Sequence, residues 1–173
     1  MKIHVVPVAF SNTQLLDRIM ETLRHTFKTG VNKISLSVDT DSLYSHERNQ
    51  YYSTGFLEQS ISQTSGYNGK VILLTGLDIY VPVLTFLFGE AQLNGKHSIV
   101  SVFRLHEEFY SGVTDNELLY ERTMKEIYHE LGHTFGLIHC RDWDCVMHSS
   151  NSIEQVDLKG NDYCKKCKAQ ISV

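Results

Sequence analysis

The chain has 173 residues, within the range of a single domain, with 42% hydrophobic and 21% charged residues. Its formal net charge of −4 gives no bulk attraction for a polyanion, so composition argues against a nucleic-acid partner. Its longest strongly apolar stretch, residues 79–88, is far shorter than the roughly 20 residues of a membrane helix, and no export signature follows the apolar start, so no membrane association and a cytoplasmic location are expected.

Residues 2–9 read as a buried strand. Ser11-x-x-Gln14 has the form of a capping box opening a helix over 12–28, with Leu15, Leu16, Ile19, Leu23 and Phe27 on one stripe. Residues 33–39 alternate, with Ile34, Leu36 and Val38 facing one way, and predict a second strand. The polar stretch 40–69 holds a candidate helix near 50–63 carrying Tyr51, Phe56, Leu57 and Ile61. Lys70–Thr75 reads as a third strand between Gly69 and Gly76, and 83–88 and 98–104 as two more, separated by Gly89 and the Asn94-Gly95 pair. Thr114-x-x-Glu117 is a second capping box, opening a helix to Phe135 with Tyr120, Met124, Ile127, Leu131 and Phe135 as its core stripe. Strands alternating with helices predict an α/β (α+β) fold: a twisted mixed sheet of about five strands, a backing helix and the second long helix.

That second helix runs into His129-Glu130-Leu131-Gly132-His133-Thr134-Phe135-Gly136-Leu137-Ile138-His139, the pattern HExxHxxGxxH. On a helix His129 and His133 share a face about one turn apart, so both rings can reach one metal. Glu130 stands one residue round, able to take a proton from the metal's water without displacing a ligand. Gly136 tolerates positive φ, so it can end the helix and turn the chain to bring His139 in from the other side. Three imidazoles leave a fourth position open to water, which marks a catalytic zinc site rather than a closed one. The other histidines (His4, His25, His46, His97, His106, His148) have no ligand spacing.

All four cysteines follow: Cys140 and Cys145 as C-x4-C, then Cys164 and Cys167 as C-x2-C. Such spacing suits a four-cysteine structural zinc; two disulfides, or buried reduced thiols, are the other readings. The apolar supply of this tail (Trp143, Val146, Met147, Ile153, Val156, Leu158, Tyr163, Ile171, Val173) is thin, and so small a segment rarely holds together without a staple. Lys165, Lys166 and Lys168 suggest a nucleic-acid zinc knuckle, but acidic residues balance them, and a solvated loop is the better reading.

The run from His129 to Met147, with Cys164-Lys165-Lys166-Cys167 beyond it, resembles the archaemetzincins, a branch of the metzincin zinc peptidases. The resemblance implies a metzincin-like fold and a single metallopeptidase domain over 1–173. An N-terminal lobe, 1–139, would carry the sheet and the zinc-binding helix, and a small lobe, 140–173, the four-cysteine zinc. It implies Met147 in a Met-turn beneath the metal. It also implies a substrate-pairing edge strand, for which Phe86, Leu87, Phe88, Gly89 and Glu90 are the candidates. The expectation is therefore a metalloprotease or aminopeptidase with two zinc ions per chain, acting as a monomer on peptide or protein substrates. Zinc-activated water would attack the peptide carbonyl with Glu130 as general base. The rivals are a non-catalytic zinc protein that binds peptides or protein termini in the same cleft, which would have no need of Glu130, and a hydrolase of non-peptide amides.

Overall fold

The structure is a computed structural model and describes residues 1–171; Val173, counted above in the apolar tail, lies outside them. In chain order the elements are β1 (Lys2–Val8), α1 (Thr13–Phe27), β2 (Gly30–Lys33), β3 (Tyr44–Ser45), β4 (Gln50–Tyr52), α2 (Ser53–Gln63), β5 (Lys70–Thr75), β6 (Ile79–Tyr80), β7 (Gly89–Ala91), β8 (His97–Ser101), α3 (Glu108–Ser111), α4 (Asn116–Thr134), α5 (Ile153–Leu158) and α6 (Lys165–Lys168). The main sheet has five strands in the order β2-β1-β5-β8-β7. Its first four are parallel and β7 runs antiparallel on the edge. A small sheet, β3-β4-β6, lies beside it.

Parallel strands are buried on both faces, so they read as continuous apolar runs. Ile3, Val5, Ile72, Leu74 and Val100 point into the core shared with α1 and α4, whereas Val6, Val8, Val71, Leu73 and Ile99 pack with Phe56 and Leu57 of α2. Each such side chain contributes about 1.5–3 kcal/mol of transfer free energy. The stripe expected on α1 is buried in full, and Met124, Ile127 and Leu131 of α4 meet it across the core, with Tyr120 and Phe135 half-buried.

Four local expectations need correction. Both capping boxes are displaced by one residue. Asn12, not Ser11, caps α1 by accepting from Leu15 N at 2.9 Å, and Asp115, not Thr114, caps α4 by accepting from Leu118 N at 2.9 Å. Asn and Asp are stronger N-caps than Thr, and a carboxylate also suits the helix dipole. Glu117, released from capping, instead grips Arg18 of α1 with both oxygens.

The alternating segment 34–38 is extended, with Ile34, Leu36 and Val38 packed on the core, yet only its start pairs with β1. Side chains of α2 satisfy the rest of the backbone: Gln63 bonds Ser37 N and O, and Gln59 bonds Asp39 N and O. Residues 50–52 are strand before α2 begins, because Tyr51 and Tyr52 pair with β6. Residues 83–86 form no strand. Their neighbourhood is pinned by side chains, with Arg48 donating to the Pro82 and Leu84 carbonyls and Gln50 to that of Thr85. The edge strand starts only at Gly89.

Candidate active site

Helix α4 carries His129, Glu130 and His133 and stops at Thr134. Gly136 has φ +95°, and the exit is closed by Gly136 N donating to His133 O at 2.9 Å and Leu137 N donating to Gly132 O at 2.9 Å. These are the two hydrogen bonds of a Schellman ending, with Leu137 buried as its apolar plug. The turn swings His139 back toward the helix. The three rings then stand 4.7, 5.3 and 5.0 Å apart by centroids, and their ligand nitrogens all lie within 4.8 Å of one another.

The hydrogen bonds fix which nitrogen faces inward. His129 Nδ1 lies 2.8 Å from Val146 O and His133 Nδ1 lies 2.8 Å from Leu137 O. A carbonyl only accepts, so both Nδ1 atoms carry the proton and both Nε2 atoms hold free lone pairs. Those Nε2 atoms face each other at 3.1 Å. Two lone pairs that close repel unless a cation joins them, and ligand atoms about 2.0–2.1 Å from one tetrahedral ion stand roughly this far apart. Burial also holds all three imidazoles below the ordinary histidine range, in the neutral form that has a lone pair to give. The site fits zinc.

Glu130 is buried beside this cluster. Loss of solvent pushes its carboxyl well above the usual range, and the Glu126 charge adds to the rise. It lies close under β7: a Cβ on Gly89 would stand 2.7 Å from both Cγ and Oε1 of Glu130. A cleft of about 640 Å³ opens over these groups, with residues 84–91 along one wall. All five candidate substrate residues, Phe86 to Glu90, line it, but only Gly89 and Glu90 belong to a strand.

Met147 is wholly buried beneath the helix. Gly132 makes room for it, since a Cβ there would come 2.3 Å from its Sδ. Cys140 N donates to Met147 O at 2.9 Å, and the neighbouring Val146 holds His129, so this one segment supports both the helix and the chain that carries His139.

The sulfurs of Cys140, Cys145, Cys164 and Cys167 gather within 4.8 Å of one another, and all four are free thiols. Cys140 Sγ and Cys164 Sγ are 4.0 Å apart, far beyond a disulfide and close to the separation of two thiolates on one zinc. This set also fits the metal.

Sequence reasoning passed over the two carbonyls that orient the histidines, the small residue Gly132, and a buried pair, Glu126 and Lys159, next to the site. Glu126 could have been found from its position one helical turn before Glu130; the others depend on tertiary contacts.

A mixed sheet over a helix presenting paired histidines and a glutamate, completed by a third imidazole after a glycine turn, belongs to the zinc metallopeptidases. The model of peptidase family M54 matches residues 6–173. The archaemetzincin of Pyrococcus horikoshii is 44% identical over 122 residues, which span 70% of this chain and 65% of that protein. That of Archaeoglobus fulgidus is 36% identical over 173 residues, covering 99% of both chains. A solved structure of the Archaeoglobus fulgidus archaemetzincin, complexed with malonate, superposes with a TM-score of 0.83 at 35% identity over 99% of this chain and 100% of the other. The chain belongs to peptidase family M54, the family of the archaemetzincins, and is a zinc metallopeptidase. Among the described residues no helix is long and apolar enough to cross a membrane.

Proposed function

We propose that the protein hydrolyses peptide bonds, as a metalloprotease or aminopeptidase, with His129, His133 and His139 holding a catalytic zinc and Glu130 acting as general base. Cys140, Cys145, Cys164 and Cys167 hold a second, structural zinc, which makes two per chain. When bound, the catalytic zinc supplies a Lewis acid that polarises the scissile carbonyl and acidifies water.

The chain's own groups do the rest. The Val146 and Leu137 carbonyls keep two imidazoles in the tautomer that can ligate. Glu130 takes the proton of the attacking water and delivers it to the leaving amine nitrogen. Its burial favours this double duty, because a carboxyl with a raised pKa can hold the proton between the two transfers. Among the described residues β7 pairs within the main sheet only with β8, so its outer edge, at Gly89 and Ala91, offers backbone groups to an extended substrate, with Phe86, Leu87, Phe88 and Glu90 beside it in the cleft wall. Met147 supports the helix from below. The chain works as one domain, in which the lobe from Cys140 onward buttresses the ligands. Free thiols holding zinc need a reducing compartment, which favours the cytoplasm.

The observation that carries this reading is the pair of locked imidazoles presenting facing lone pairs, with a third ring and a buried carboxylate beside them. The non-catalytic alternative has no use for a desolvated Glu130. Glu130→Gln should keep its zinc and lose turnover on a peptide library. A variant as active as the parent would refute the role, and product masses from the parent decide between terminal and internal cleavage.

A further inference from the structure

One buried pair takes no part in the chemistry above. Lys159 follows α5, and its wholly buried ammonium lies 2.7 Å from Oε1 of Glu126, whose side chain is 4% exposed. The approach is oblique, so neither atom makes a well-directed hydrogen bond. Burying two charges costs several kcal/mol per ion, and packed apolar side chains often serve stability as well or better. Stability alone is therefore a poor reason for the pair.

Its position offers a better one. Glu126 lines the same cleft as His129 and Glu130. It precedes Glu130 by four residues on α4, so the two carboxylates lie on one face, one turn apart.

We propose that Lys159 is a positioning residue for Glu130: by clamping Glu126 it denies the base a competing partner inside the cleft. The inference rests on Glu130 being the base. Without the ammonium, Glu126 is an uncompensated buried carboxylate one turn from a second. Released from the ammonium, it can turn into the cleft and compete with Glu130 for the water and substrate hydrogens that the base must receive. A mere anchor between the C-terminal lobe and α4 would instead affect stability and leave the base untouched.

The test uses the zinc-loaded full chain and acetohydroxamic acid, a metal chelator that passes a proton to a neighbouring carboxylate as it binds. Calorimetry gives its Kd well below the melting temperature, with no need of a known substrate. Glu130→Gln is the control and weakens binding. Lys159→Met should weaken it about tenfold, a modest part of what a general base contributes, with zinc content unchanged. Glu126→Leu combined with Lys159→Met removes both charges and should recover most of the affinity. On a cleaved peptide the Lys159→Met loss should fall on kcat rather than KM. If Lys159→Met does not fold, Lys159→Gln, which lacks the charge but fills the space, is read in the same direction. Wild-type affinity in the folded single variant, or a double variant as weak as the single, overturns the proposal. Unchanged binding in Glu130→Gln is a different result and overturns the assignment of the base itself.

Discussion

Gly89 brings the edge strand against Glu130, the proposed base, and its replacement by alanine gives a sharp test of the site. The new Cβ would stand 2.7 Å from Cγ and Oε1 of Glu130 and 2.8 Å from Ile99 O. Carbon contacts settle near 3.5–4.0 Å, so roughly 0.8 Å must be found. Ile99 O is backbone in the neighbouring strand β8 and yields little, which leaves the Glu130 side chain as the softer party. A displacement near 1 Å in a catalytic group costs about 100-fold in rate, or about 2.7 kcal/mol of transition-state stabilisation. We therefore expect Gly89→Ala to keep its zinc and its fold while kcat falls about 100-fold. Zinc by mass spectrometry, far-ultraviolet circular dichroism and steady-state turnover read the three quantities. Gly66→Ala, whose Cβ meets nothing within 4 Å, is the control and should be silent. Full turnover in folded Gly89→Ala would show that Glu130 is not needed where it stands.

Two further outcomes follow from the same geometry. If the chain holds the two zinc ions proposed, Cys164→Ser should lower its zinc content to one or fewer and loosen the C-terminal lobe, since structural zinc supplies about 10 kcal/mol or more of apparent binding free energy; two ions retained in the variant would refute the four-thiolate site. His97 is buried, bonded to Thr64 and Gln92, and desolvation with some help from Lys96 lowers its pKa to about 4. The unfolded chain accepts this proton near pH 6.5, so the stability tied to His97 is complete above that pH and lost as pH falls through about 4. At most about 3 kcal/mol is at stake. Chemical denaturation of the zinc-loaded protein between pH 7 and 4 should show that slope, and His97→Gln should flatten it; an unchanged slope would mean His97 is not its source.

The two helices that build the core were legible because their periodicity is local: Leu15, Leu16, Ile19, Leu23 and Phe27 all reach the interior as spaced. The gathering of His129, His133 and His139 was legible for the same reason, since Gly136 and His139 sit at fixed offsets from the helix. The segment from Ile34 to Val38 shows the limit. Alternation reports which side chains are buried, not what bonds the backbone, and two glutamines of α2 took the role of a neighbouring strand. Residues 83–86 failed likewise, because Arg48 and Gln50 satisfy carbonyls far along the chain. The Glu126–Lys159 pair joins residues far apart along the chain, and no local pattern announces it.

The peptide bond between His139 and Cys140 joins an imidazole of one metal cluster to a thiol of the other, and Val146, neighbour to Cys145, steadies His129. A metal on the proposed sulfur cluster would thus also restrain two imidazoles of the nitrogen cluster, His139 through that covalent link and His129 through one hydrogen bond.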